Sequence, residues 1–249
     1  MINKEELKKI SIESGLLLHQ QEKDYLLTLF LYNYYKKFEN AYFKGGTCIK
    51  YLYSIDRFSE DLDFNIKDPN NFKIEVESVL KEISKIGIKN SFIKEELFEN
   101  SYTCEIGFEG PLFNGNSQTK NRFRIDAGYR TGTLKKPEWK LIKSKYPESE
   151  ETFLVFCMNI DEIFVEKILA LLNRKKGRDL YDVWFLNKLG LSIDKSLLAK
   201  KSKIENIKLE LYKIVDKREY ERDMSRLSSR LIPYEQVKKE VESLLEKFV

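Results

Sequence analysis

Two neighbouring stretches, Ala41-Tyr42-Phe43-Lys44-Gly45-Gly46-Thr47 and Asp61-Leu62-Asp63-Phe64-Asn65-Ile66, decide how the rest of the chain is read. The first begins as a short apolar strand, is stopped by two glycines, and resumes as a helical pattern from Thr47 to Tyr53. The second alternates polar and apolar residues, as a half-buried strand does. Leu62, Phe64 and Ile66 share one face, and Asp61, Asp63 and Asn65 share the other. A strand, a glycine turn and a helix are thus followed by a strand that presents two carboxylates on one side.

Working outward, residues 3–18 and 20–38 carry apolar groups at helical spacing, including Leu7, Ile10, Leu26, Leu27, Phe30 and Tyr34. Pro69 opens a helix to about Ile86. Gly87 to Ile93, Tyr102 to Phe108 and Arg122 to Tyr129 alternate as strands, with a turn-rich loop at Gly110 to Thr119. Thr131 to Ser149 reads as a long irregular stretch, and Thr152 to Cys157 adds a strand. From Asp161, taken as an N-cap before a helix over Glu162 to Asn173, the pattern is helical to the end, interrupted at Pro233. The expected class is α+β: a mixed sheet flanked by helices over residues 1–158, then a helical domain over 159–249.

Composition narrows the classes of function. With 44 Lys and Arg against 40 Asp and Glu, the net charge of +4 is too mild to mark a nucleic-acid binder by itself. Residues 161–249 hold 20 basic and 16 acidic groups, so the whole excess lies there, where it could meet a phosphate-rich partner. No apolar run reaches the roughly 18 residues of a membrane span. The acidic start, Met1-Ile2-Asn3-Lys4-Glu5-Glu6, is unlike a secretory signal. Three cysteines without metal-ligand spacing argue against a disulfide framework and for a reducing compartment, the cytoplasm. The one histidine, His19, falls at a helix end and has no second ligand for zinc.

Asp126, in Phe123-Arg124-Ile125-Asp126-Ala127-Gly128, leaves the apolar face of its strand just as Asp61 and Asp63 leave theirs. Three such carboxylates repel one another unless a cation lies among them. Magnesium takes a few carboxylates together with phosphate oxygens and water, so the arrangement calls for a metal-bound triphosphate. Gly45, Gly46 and Thr47, at a helix N-terminus, offer backbone N–H groups and a hydroxyl to its outer phosphates. Taken singly, each feature is ordinary: a strand's solvated face carries acids, and Gly-Gly-Thr occurs in many turns. Their combination, with the turn 15 residues before the strand acids, is specific.

Lys44-Gly45-Gly46-Thr47, the block Arg57-Phe58-Ser59-Glu60-Asp61-Leu62-Asp63-Phe64 and Arg178-Asp179-Leu180-Tyr181-Asp182 together resemble the AbiEii/AbiGii nucleotidyltransferase toxin family. Its core is similar to that of the DNA polymerase β-like nucleotidyltransferases. The resemblance runs from about Tyr42 to Leu189, with Thr47 where many members carry serine. It implies an NTP substrate, magnesium with manganese as a substitute, and a bacterial toxin–antitoxin or phage-defence setting with a cognate antitoxin. The acceptor it implies is RNA, the 3′ end of a tRNA, or else a protein.

A second cluster lies in the helical half. Lys167 and Arg174, seven residues apart on one face of an otherwise apolar helix, could lean over a cleft and suit a triphosphate. Arg178 and Asp182 at i, i+4 could equally be a helix-surface ion pair, worth only tenths of a kcal/mol. The resemblance places Lys167 and Asp182 in the active site, and Arg174 and Asp179 beside them. Arg57 and Ser59 either orient the Asp61 strand or bind nucleotide. The expected catalytic set is Asp61, Asp63, Asp126, Lys167 and Asp182, with the first three on the metal. Lys44, Gly45, Gly46, Thr47, Arg57, Ser59, Lys167, Arg174, Arg178 and Asp179 are expected around the nucleotide. Other readings are a phosphotransferase in the same cleft or a non-catalytic NTP-binding regulatory module. The Lys200-Lys201-Ser202-Lys203 run, and Arg218, Arg222, Arg226 and Arg230 on one helical face, are candidates for RNA phosphates.

Overall fold

A computed structural model of the chain describes residues 1–129, 132–209, 214–228 and 230–246. Two compact units divide the chain. The first comprises Met1–Ser54, Phe58–Gly132 and Pro137–Cys157; the second comprises Ile55–Arg57, Thr133–Lys136 and everything from Met158 onward.

The first unit is built on a seven-stranded mixed sheet. Its elements in chain order are α1 (Lys4–Ser14), α2 (Leu18–Tyr35), β1 (Ala41–Lys44), α3 (Gly45–Tyr53), β2 (Leu62–Ile66), α4 (Pro69–Lys85), β3 (Lys89–Phe98), β4 (Ser101–Glu109), β5 (Asn121–Gly128), β6 (Glu138–Lys143) and β7 (Thr152–Cys157). The strand order is β3-β4-β5-β2-β1-β7-β6. In the middle, β2 pairs antiparallel with β1 and parallel with β5, so the two acid-bearing strands are neighbours. Their apolar faces, with Phe43, Phe64, Phe123 and Tyr102, meet Phe30 and Tyr34 of α2 and Phe72 of α4 in a continuous aromatic core. α2 is buried nearly all round from Tyr25 to Leu31, as expected of a helix apolar on every side. Glu75, a carboxylate buried beside this core, is satisfied by the Tyr34 hydroxyl and the side-chain amides of Asn40 and Asn71.

The second unit holds α5 (Ile160–Arg174), α6 (Gly177–Lys188), α7 (Lys195–Ile204), α8 (Lys217–Met224) and α9 (Tyr234–Leu245). α6 packs on α5, α8 and α9. Its approach to α8 depends on Gly177, where a Cβ would stand 2.6 Å from the Tyr220 Cα. No described helix is long and apolar enough to cross a membrane.

Several local expectations are corrected. α1 stops at Ser14 because Gly15 turns left-handed, with φ of 70°, and His19 lies in the first turn of α2, at that helix's N-terminal end. β3 begins two residues late, at Lys89, and runs on to Phe98. Asp61 stands just ahead of β2, and α3 starts at Gly45 itself. α5 is capped by Asn159, whose side chain accepts from the Asp161 N–H, so Asp161 sits in the first turn. The stretch read as irregular contains the strand β6; its first residue, Thr131, lies outside the described residues. Lys201, read as a phosphate-binding surface charge, is fully buried between Glu162 and Glu166 at 2.9 and 2.6 Å. α8 ends at Met224, so Arg226 and Arg230 do not continue a helical face with Arg218 and Arg222.

Candidate active site

In the first unit, sheet register gathers the acids. Asp63 of β2 lies directly beside Asp126 of β5, and on its other side Asp63 is opposite Lys44 of β1. Directly paired residues share a face, so Lys44, Asp63 and Asp126 point to the side of the sheet away from the aromatic core. Asp61 precedes β2, and its Oδ1 accepts a 3.3 Å hydrogen bond from the Arg124 N–H on β5. All three carboxylates are half-buried.

The glycine turn is shaped around Asp63. Gly45 has φ of 76°, and a Cβ there would stand 2.1 Å from Asp63 Oδ2. Only glycine satisfies both the backbone conformation and this approach. Thr47, wholly buried, does not face outward: its hydroxyl donates to the Asp61 main-chain carbonyl and lies 2.9 Å from the Ser59 hydroxyl. Thr47 and Ser59 therefore fasten the chain entering β2 to the turn at α3. Gly45 and Gly46 form the first turn of α3.

Burial is the largest influence on Asp61 and raises its carboxyl above the usual aspartate range. The Arg124 N–H works against it, and the neighbouring Asp63 charge adds to it. That repulsion between paired carboxylates is what a hard dication relieves, and the donor set of Asp61 and Asp63 fits one. Asp126 is differently engaged. Its Oδ1 accepts from Arg124 Nε and Nη2 at 3.1 and 2.8 Å and from the Thr103 hydroxyl at 3.1 Å. Among the described residues no three acidic, Cys or His side chains already form a cage for an ion. Arg124 and Thr103 were missed by sequence reasoning. Arg124 could have been found, since two residues before Asp126 on a strand means the same face.

The second cluster forms within the second unit. Asp182, completely buried, receives Arg57 Nε at 2.6 Å and Nη2 at 2.8 Å, and Lys167 Nζ at 2.8 Å. Burial alone would raise this carboxyl, but the Arg57 guanidinium and Lys167 ammonium outweigh it and hold it at about 2. The Arg57 guanidinium, which burial disfavours, is in turn held charged by Asp182. The alternative of a helix-surface pair between Arg178 and Asp182 is not realised among the described residues; Arg178 is exposed. Arg174 pairs through both Nε and Nη2 with buried Asp179, at 2.7 Å each. The structure thus unites Lys44, Gly45, Gly46, Thr47, Ser59, Asp61, Asp63 and Asp126 in one unit. It unites Arg57, Lys167 and Asp182 in the other, with Arg174 and Asp179 as a separate pair.

The chain is similar in structure to MenT4, the nucleotidyltransferase toxin Rv2826c of Mycobacterium tuberculosis H37Rv, with a TM-score of 0.69 and 13% identity over 98% of this chain and 89% of that one. It is also similar to JHP933 from Helicobacter pylori, with a TM-score of 0.59 and 19% identity over 92% and 91% of the two chains. At such identities the likeness establishes the fold. No curated protein matches the chain in sequence. The family model described as nucleotidyl transferase AbiEii toxin, type IV toxin–antitoxin system, matches residues 29–247, nearly the whole chain. This chain therefore belongs to the AbiEii family of nucleotidyltransferase toxins.

Proposed function

We propose that the protein transfers a nucleoside monophosphate from an NTP to an acceptor hydroxyl, on the sheet face that carries Asp61, Asp63 and Asp126. The observation that carries this reading is the placement of Asp63 beside Asp126 on adjacent parallel strands, with the Gly45 backbone closed against Asp63. Magnesium, or manganese in its place, would be held by Asp61 and Asp63, with Asp126 completing the site, and would neutralise charge on the triphosphate.

The chain's own groups do the rest. The N–H groups of Gly45 and Gly46, at the positive end of α3, take the outer phosphates. Lys44, opposite Asp63 in the sheet, adds a cation on the same face. Thr47 and Ser59 keep Asp61 in place through the contacts described above. Asp126 accepts the acceptor's hydroxyl proton, the freed oxygen attacks the α-phosphorus, and the bond to pyrophosphate breaks. Lys167 and Asp182, with Arg57, are proposed as an internal charge lock that the activity requires.

The acceptor we propose is RNA, with a tRNA 3′ end as the first candidate, and the compartment is the cytoplasm. An antitoxin is the expected protein partner, consistent with the family's type IV toxin–antitoxin system. The test uses purified protein, magnesium, total RNA and each NTP labelled at the α- or the γ-phosphate. The expected result is α-label in RNA with release of pyrophosphate. Transfer of the γ-label instead would make the protein a phosphotransferase. Nucleotide binding without transfer of either label to RNA or protein would leave a regulatory module.

A further inference from the structure

Arg124 has a divided attachment. Its main-chain N–H holds Asp61 Oδ1, and that link is fixed by the pairing of β2 with β5. Its side chain instead reaches along its own strand to Asp126, two residues on, and places both Nε and Nη2 on Oδ1. The guanidinium is 54% exposed and the carboxylate 39%, so this ion pair lies in water and adds little to stability. The same Oδ1 also accepts from Thr103 of β4, which stands directly beside Asp126 in the sheet. Among the described residues, none donates to Oδ2.

We propose that Arg124 is a resident counter-ion for Asp126: it occupies the place of a divalent cation and hands the carboxylate over when the cation arrives. This rests on the reading of Asp61 and Asp63 as the metal-holding pair. The physical reason is charge. Beside Asp61 and Asp63, a third carboxylate is costly without a cation, and Arg124 supplies one from within the strand. A dication at Asp126 and a guanidinium on the same oxygen repel each other, so the two compete. Thr103 is neutral and keeps its hydrogen bond in both states, so Asp126 stays oriented when Arg124 leaves. Once displaced, the long exposed side chain remains tethered beside the acids, where it suits a phosphate of the incoming nucleotide. Arg124 is then a positioning residue: it sets the metal affinity of the empty site and the phosphate affinity of the filled one.

The test measures manganese binding to the metal-free full chain by calorimetry and by electron paramagnetic resonance. Wild type is compared with Arg124→Ala, Arg124→Lys and Asp63→Asn, all first shown to be folded by thermal melting. Removing the competitor should tighten manganese binding in Arg124→Ala by about tenfold, with solvent screening keeping the effect near that size. Arg124→Lys should fall between. With manganese saturating, a non-hydrolysable ATP analogue should bind Arg124→Ala several-fold more weakly than wild type. A side chain that merely braces Asp126 would give the opposite first result, since a looser carboxylate binds metal less well. Equal or weaker manganese binding in Arg124→Ala, while Asp63→Asn has lost it, overturns the proposal and leaves the metal site standing. Undiminished manganese binding in Asp63→Asn overturns the metal site as well. Unchanged analogue binding in Arg124→Ala would refute the transfer of Arg124 to phosphate.

Discussion

Asp182→Ala is expected to destabilise the protein by about 3–5 kcal/mol, because it removes an anion shared by two buried cations. The Arg57 and Lys167 side chains are only 3% and 10% exposed, so neither can recover its hydration without unfolding its surroundings. Urea denaturation would read this as a large fall in the transition midpoint, and a change below about 1 kcal/mol would refute it. The same cluster predicts an acid sensitivity of definite sign. The Asp182 carboxyl lies at about 2 in the folded protein, below its unfolded value near 4. Its contribution, on the order of 2–3 kcal/mol, is therefore fully present above about pH 5 and is lost as pH falls toward 2. In Asp182→Asn, whose side chain cannot titrate, the stability profile should lack that component.

Asp63→Asn should behave in the opposite manner, losing activity without losing stability. The residue sits between Lys44 and Asp126 in the sheet, against the Gly45 backbone, and asparagine keeps its size. What disappears is the charge that would hold the metal. A fall in transfer rate on the order of 10³-fold, or about 4 kcal/mol in the barrier, is expected. Because the Asp63 charge contributes to the raised Asp61 carboxyl, its removal also relieves repulsion. The melting temperature should stay level or rise, as is common where a strained site serves function. A folded Asp63→Asn protein with a rate within tenfold of wild type would dismiss the role given to this residue.

The two predictions differ in how visible their residues are in the sequence. Asp61, Asp63 and Asp126 are legible because strand alternation fixes the face of each, and the apolar residues between them declare where the core lies. The partners of Asp182 are not so visible. Helical spacing suggests Arg178, four residues away, whereas the true partner Arg57 is 125 residues distant, and spacing rules see only neighbours along one element. β6 was hidden for a related reason. It is an edge strand whose large apolar residues Trp139 and Leu141 are exposed, while Ile142 is buried, so alternation does not separate a wet face from a dry one. Lys201 looks like any lysine in a basic run, and only the fold reveals the two glutamates around it. Thr47 has the residue type that a phosphate turn requires, yet its hydroxyl is spent on the backbone of Asp61.

The division of the chain bears on how the protein can be taken apart. The polypeptide changes unit at 54/55, 57/58, 132/133, 136/137 and 157/158, so no single cut separates the two. A fragment beginning at Met158 would contain the five described helices of the second unit but would be missing two short inserts. Without Ile55–Arg57, the Asp182 carboxylate has lost its guanidinium partner. Without Thr133–Lys136, buried Glu162 has lost the N–H groups of Leu134 and Lys135. An antitoxin or a protease that acted on either insert would therefore reach the interior electrostatics of the helical unit by way of three or four residues.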